Sequence, residues 1–353
     1  MKSIEIDTDS GAEICQLTDG ERPADNIYGE QPYSTPQGDR VVIRYYGTDA
    51  VDGGLSVLNL TDGSVQPILQ GTARFPAFHA WGEHLYFQVS VGEKLLLKRC
   101  HLQTLEQEEV VELPTERGRF SYGTVSPDLR YYAASVHVDD GTCEVLLMDL
   151  VGGGQRSLAK SGDQYFKHEQ FSLDGANRLL IQANQLPDVV EVHLGVLDVE
   201  GREGFQWLPA DRPHTPRPTG HEAWIGRSDR VFFSTASDPG QEDNLWTAGL
   251  TDRAPILAAR AGFRFSHVSV SRCGRFWIGD ATRQEGVPIY VGSLASGQHR
   301  RLVFSRTEHD DKQWSHTHPY MTADNQWLIY TSNRSGRPQV HGARIPGEFL
   351  DGL

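Results

Sequence analysis

The sequence predicts an all-β fold, a seven-bladed β-propeller, on three observations. A strand-and-turn phrase recurs seven times along the 353 residues, at a spacing of roughly 45–50 residues, the length of a four-stranded blade. Apolar residues nowhere keep the i, i+3, i+4, i+7 order of a long amphipathic helix. The composition, with 36 Gly, 18 Pro, 12 Tyr, 14 Phe and 7 Trp, suits many short strands joined by turns.

Each phrase holds one strong aromatic or β-branched run. In order these are Arg40-Val-Val-Ile, His84-Leu-Tyr-Phe, Arg130-Tyr-Tyr-Ala, Arg178-Leu-Leu-Ile, Arg230-Val-Phe-Phe, Arg275-Phe-Trp-Ile and Gln326-Trp-Leu-Ile-Tyr. Most have a partner run downstream, such as Leu55-Ser-Val-Leu-Asn-Leu, Glu144-Val-Leu-Leu-Met-Asp-Leu and Asn244-Leu-Trp-Thr-Ala-Gly-Leu. The seventh unit runs out at Gln339-Val-His-Gly-Ala-Arg-Ile, and the tail from Pro346 is too short and glycine-rich for a further strand. Ahead of the first complete unit, Glu13-Ile-Cys-Gln-Leu-Thr reads as a blade-final strand. The last blade is therefore expected to be closed by the N-terminal strand, which pairs the open sheet edges. The repeat shows no linker, so residues 1–353 are expected to form one propeller domain.

The N-terminal residues lack the apolar core of a signal peptide, and no stretch is long enough to span a bilayer. Cys15, Cys100, Cys143 and Cys273 lie far apart and form no C-x-x-C pair, which predicts reduced thiols and a cytoplasmic protein. A formal net charge of −14 argues against a nucleic-acid partner, whose phosphates need a basic surface. It does not exclude an acidic substrate, because a local cluster of cations can dominate a site whatever the bulk charge.

Four histidines recur at one phase of four consecutive units. His168, His221, His267 and His318 each precede a strong run by about eight to ten residues, and residues sharing a phase in stacked repeats share a location around the common axis. The first strand of a blade lines the central channel, so this position is expected to face the channel near one mouth. Around the ring it is occupied by Gln31, Phe75, Ser121, His168, His221, His267 and His318.

An isolated histidine on a strand is ordinarily a hydrogen-bonded core residue; here several converge. On an extended segment the i, i+2 pair His316 and His318 would place both rings on one face, roughly 7 Å apart at Cα. Gln313 can add a neutral carbonyl oxygen, and His267 from the neighbouring blade a third nitrogen. Three imidazoles and an amide oxygen make a borderline donor set for Mn, Fe, Ni, Co or Zn. Asp280 is placed either to orient a ligand histidine or to cap a turn. Arg74, Arg119 and Arg264 near inner-strand entries are weaker candidates as carboxylate clamps. Asp310 and Asp311 read as loop solvation.

The segments His168-Glu-Gln-Phe-Ser-Leu-Asp, Gly220-His221-Glu-Ala-Trp, Ser266-His267 and Gln313-x-x-His316-x-His318-Pro resemble the motifs of oligogalacturonate lyases, seven-bladed propeller enzymes of pectin breakdown. Tyr28-Gly-Glu-Gln31-Pro-Tyr-Ser-Thr-Pro-Gln-Gly and Leu102-Gln-Thr-Leu-Glu are similar to the family's early blades, so the resemblance covers nearly the whole chain. The resemblance implies a manganese ion held by His267, Gln313, His316 and His318, with His221 as Brønsted base. It also implies an Arg on the blade before that base. Here the matching stretch, Asn184-Gln-Leu-Pro-Asp-Val-Val-Glu-Val-His193-Leu-Gly, has none, and the family's His-Glu-Gly-Pro-like phrase is missing.

These expectations define a metal-dependent β-elimination on short uronate oligosaccharides. Removing the proton α to a carboxylate creates an enolate-like dianion, which a cation on that carboxylate stabilises. A neutral imidazole suits the base, since its ordinary pKa lies near neutrality. His168 is expected to position substrate or assist protonation of the leaving group, or to be a hydrogen bond in the channel wall. The competing readings are a non-catalytic propeller that binds a sugar or a protein, and a metal-dependent lyase for another uronate or a metallo-hydrolase. No Gly-x-Ser-x-Gly elbow accompanies the blades, which removes the propeller-bearing serine peptidases.

Overall fold

The computed structural model describes residues 2–47, 54–69, 74–77, 81–187, 191–201, 203–236, 238, 240–308 and 313–353. Its strands form seven antiparallel sheets, six of four strands and one of five, arranged as a seven-bladed propeller. The strong runs become the second strands of successive blades: Arg40–Tyr45, His84–Val91, Tyr131–His137, Arg178–Gln185, Arg230–Thr235, Phe276–Asp280 and Trp327–Ser332. Such strands are buried on both faces, which is why they read as unbroken apolar runs instead of alternating ones.

Each blade packs on the next through those runs. Val42, Val57, Leu85 and Phe87 join the first blade to the second. Ile181, Phe171, Val145 and Leu147 join the third to the fourth, and Phe232, Phe265 and Trp277 join the fifth to the sixth. Val41, Ile43, Trp327 and Ile329 complete the circuit between the first blade and the seventh.

Closure follows the sequence expectation. Glu13–Gln16 pairs antiparallel with Gln339–Arg344, Cys15 lying opposite Gly342. A further strand, Lys2–Ile6, adds to the outer edge of this blade as a fifth member, which the sequence reading did not anticipate. Its side chains are nearly all exposed, so no apolar pattern announced it. The C-terminal tail is a short helix, Gly347–Asp351, that seats Phe349 in the core beside Ile14 and Val303. The four cysteines are free thiols. Among the described residues no helix is long and apolar enough to cross a membrane.

The histidine phase coincides with a break in the pleat. In blades two to five the inner strand slips register at the same place: between Arg74 and Ala77, Phe120 and Gly123, Lys167 and Gln170, and Pro218 and Glu222. A bulge adds a residue to one strand and re-aims the local side chains. Phe75, Ser121, His168 and His221 lie inside these four bulges. In blades six and seven the inner strand is shorter and starts just after the histidine, as Val268–Val270 and Tyr320–Met321.

Candidate metal centre and active site

His267 is buried at the entry of the sixth blade's inner strand. Asp280, at the end of the adjacent strand, receives both the His267 backbone N–H and its Nδ1–H, each at 2.8 Å. That fixes the tautomer and leaves the Nε2 lone pair on the side away from Asp280. The Thr317 hydroxyl also donates to Asp280, so one carboxylate ties His267 to the segment between His316 and His318. Of the two sequence readings of Asp280, the structure favours the orienting one. Asp280 is itself buried; burial raises its pKa, but the adjacent His267 and the hydrogen bonds prevail and lower it.

One nitrogen each from His267, His316 and His318 lies within 4.8 Å of the others. Ring centroids are separated by 5.0 Å for His267 and His316, 4.6 Å for His267 and His318, and 5.7 Å for His316 and His318. The convergence expected from an extended i, i+2 pair is present, but its cause differs. The segment is not a strand: a bend at His316 and a left-handed backbone at His318, φ +38°, bring the rings together. Gln313 opens a 3-10 turn, Gln313–Ser315, and its side chain lies outside the described residues, as do Asp310 and Asp311.

His318 is held from above by the first blade. Asn26 donates to its carbonyl at 2.7 Å, and the Tyr28 ring stacks on its imidazole at 4.6 Å. Gly29 permits this approach, because a Cβ there would stand 2.8 Å from the His318 carbonyl carbon. Both ring nitrogens of His318 are buried without a hydrogen-bond partner. A polar group left so costs about 1–3 kcal/mol. Burial, and then the neighbouring imidazoles His267, His221 and His316, hold its pKa well below the ordinary value. A neutral, unsatisfied imidazole beside two others is what a divalent ion requires of its ligands, so these residues fit the metal that the sequence suggested.

His221 lies against this cluster, its ring centroid 4.8 Å from that of His267. Its Nδ1 is hydrogen-bonded to Oε1 of Glu30, a buried carboxylate from the first blade. Burial raises the Glu30 pKa, but the charge and hydrogen bond of His221 outweigh it and keep Glu30 ionised. Gly220 adopts φ +91°, and a side chain there would collide with the Gln182 amide at 2.5 Å. His168, also with positive φ, spends both nitrogens: Nδ1 lies 3.3 Å from Glu222 Oε1 and Nε2 3.2 Å from the Tyr28 hydroxyl. Burial, reinforced by Lys167, pushes its pKa down to about 3.

Replacing Asp280 with Asn should leave the propeller folded but weaken metal binding by roughly 10–100-fold, the usual cost of a lost outer partner. Titration with a divalent ion measures this, and unchanged affinity would deny Asp280 its orienting role.

Glu222 gives a second test. Burial, and then the charge of Glu30, pushes its carboxyl up from 4.5 to about 8. Across that window the folded chain keeps a proton that the unfolded chain has released, so stability falls as pH rises. In metal-free protein, the Tm advantage of Glu222→Gln over wild type should therefore grow from about pH 5 to about pH 8. A difference independent of pH would contradict the assignment.

No protein-family model matches the chain. An oligogalacturonide lyase of Pectobacterium atrosepticum is 32% identical over 227 residues, which is 58% of this chain and 56% of that protein. The chain thus spans little more than half the length of the curated relative it matches. Over these residues the chain is similar to an oligogalacturonide lyase. A structure of oligogalacturonate lyase in complex with manganese matches with a TM-score of 0.80, covering 98% of this chain and 96% of that one at 18% identity. An oligogalacturonate lyase from Vibrio parahaemolyticus matches at 0.78, with 99% and 97% covered and 17% identity. These two likenesses establish the shared fold.

The Arg that the resemblance implied on the blade before His221 is absent from the stretch Asn184 to Gly195. Asn184 accepts a hydrogen bond from Gln182 at 2.6 Å, and residues 188–190 lie outside those described. His193 is on the third strand of its blade, bound to Asp211 and 3.6 Å from Glu191. Arg264 donates to the Thr235 carbonyl at 2.8 Å, Arg119 is exposed, and the Arg74 side chain is outside the described residues. Two cations that sequence reasoning passed over lie in a cavity that reaches the cluster at His318. Arg44 and Lys167 line a cavity of about 250 Å³ together with Tyr28, Tyr122, His168 and His318.

Proposed function

We propose that this chain is a metal-dependent β-elimination lyase acting on short uronate oligosaccharides of the oligogalacturonate type. The carrying observation is one cluster: three imidazoles with nitrogens within 4.8 Å, and a fourth, carboxylate-backed imidazole with its ring centroid 4.8 Å from His267. The likeness to lyases, one of them in complex with manganese, supports the same reading.

In this proposal His267, His316 and His318, with Gln313, hold a divalent ion, most simply manganese. When bound, such an ion supplies Lewis acidity toward the substrate carboxylate. His221 takes the α-proton at Nε2, because its Nδ1–H donates to Glu30. The ionised Glu30 then stabilises the imidazolium; the C–H electron pair forms the C4–C5 double bond as the C4–O bond breaks, and the departing sugar oxygen takes a proton from water. His168, with both nitrogens occupied, acts as a positioning residue: it fixes Tyr28, which covers His318. The unpaired thiols suit a reducing cytoplasm.

The test is incubation of the metal-loaded protein with a panel of uronate oligosaccharides, following ultraviolet absorbance of an unsaturated product. Absorbance should rise with oligogalacturonate. A metal-loaded protein inert toward the whole panel would overturn the lyase reading in favour of a binding propeller.

A further inference from the structure

Lys167 stands out because its neighbours are already satisfied. In the same cavity, Arg44 is bidentate on Asp25, at 3.0 and 2.6 Å, and donates to the Tyr122 hydroxyl at 2.8 Å. Its charge is spent. The carboxylate that follows Lys167 in sequence, Glu169, accepts the Ser135 hydroxyl, and burial pushes its pKa up to about 7. Lys167 is only half-buried, and among the described residues no carboxylate lies within ion-pair distance of it. It faces the cavity beside His168 and His318, across from Tyr28, Tyr122 and Tyr165. The placement is a product of the bulge: Phe166 points into the core between blades three and four, whereas Lys167 starts the register slip that re-aims the chain.

A volume of about 250 Å³ falls just below the usual range for small-molecule sites, so it suits a single ring. Its chemistry suits one sugar acid: an aromatic wall and, in Lys167, a cation that makes no ion pair among the described residues. It touches the histidine cluster through His318, which makes it continuous with the proposed reaction centre. We propose that the Lys167 ammonium takes the carboxylate of a second uronate ring, adjacent to the ring held at the histidines. The inference rests on the lyase reading in taking the ligand to be a uronate. It makes Lys167 a specificity-determining residue that selects an unesterified neighbour.

The experiment is calorimetric titration of metal-loaded protein with a galacturonate dimer and with its methyl ester, in a His221→Ala background so that the ligand persists. Lys167→Met should weaken binding of the acid by roughly 10–100-fold, the usual worth of a charge-assisted contact, with little effect on the ester. Lys167→Arg should keep most of the affinity. Equal binding of the acid with and without Lys167, equal losses for acid and ester, or no binding of the acid to the parent would each overturn the inference. Turnover by the parent wild type is assayed alongside. Loss of acid binding in Lys167→Met together with an inert wild type would sink the lyase reading while leaving this subsite standing.

Discussion

Replacing His318 with alanine is expected to empty the metal centre and abolish elimination together. His318 is 2% exposed, both ring nitrogens lack a hydrogen-bond partner, and its ring lies nearest that of His267 within the trio. Loss of one of three imidazoles should lower metal affinity by more than the roughly 10–100-fold that an outer partner costs. Turnover should fall to background, because the proton to be removed becomes acidic only when the carboxylate charge is drawn off. The fold should survive: the truncation leaves a void against Tyr28, yet it also removes a buried polar group that nothing satisfied. Elemental analysis of purified protein and the unsaturated-product assay measure the two effects. Stoichiometric metal with full activity in the variant would refute the centre; His316→Ala is likewise expected to lose both metal and turnover.

His221→Ala should separate the two properties. Its ring touches the cluster but is engaged by Glu30, so metal content should stay at the wild-type level. The turnover number should fall by roughly 10²–10⁴, the usual contribution of a positioned general base. Glu30→Gln should fall between wild type and His221→Ala, since the amide oxygen still accepts the Nδ1–H but no longer balances the imidazolium charge. Undiminished turnover in His221→Ala would remove it from the reaction.

The ring, its closure and the histidine phase were legible because each depends on periodic information. Second strands buried on both faces write themselves as apolar runs, and the phase survives insertion in the loops. What escaped was set by local geometry. Glu30 meets His221 across 191 positions of sequence, and the phase count settled one residue away, on Gln31, whose amide instead donates to the Glu169 carbonyl at 2.9 Å. Lys167 was invisible for a related reason. In a regular strand it would point opposite to His168; a bulge lets both neighbours face one cavity. The route to convergence of His316 and His318 was likewise hidden, since alternation along a strand imitates what a bend and a left-handed residue accomplish.

The seventh blade borrows Glu13–Gln16 from the far end of the chain, and the same blade carries His316 and His318. Asn26, a few residues beyond that borrowed strand, fastens the His318 carbonyl and pairs with Thr331. Buckle and candidate ion site therefore share one segment of the hoop. His267, His316 and His318 come from the last two repeats, so the candidate site is complete only once the final repeat is in place. An ion bound there would tighten the clasp, because anything bound only by the folded form opposes unfastening.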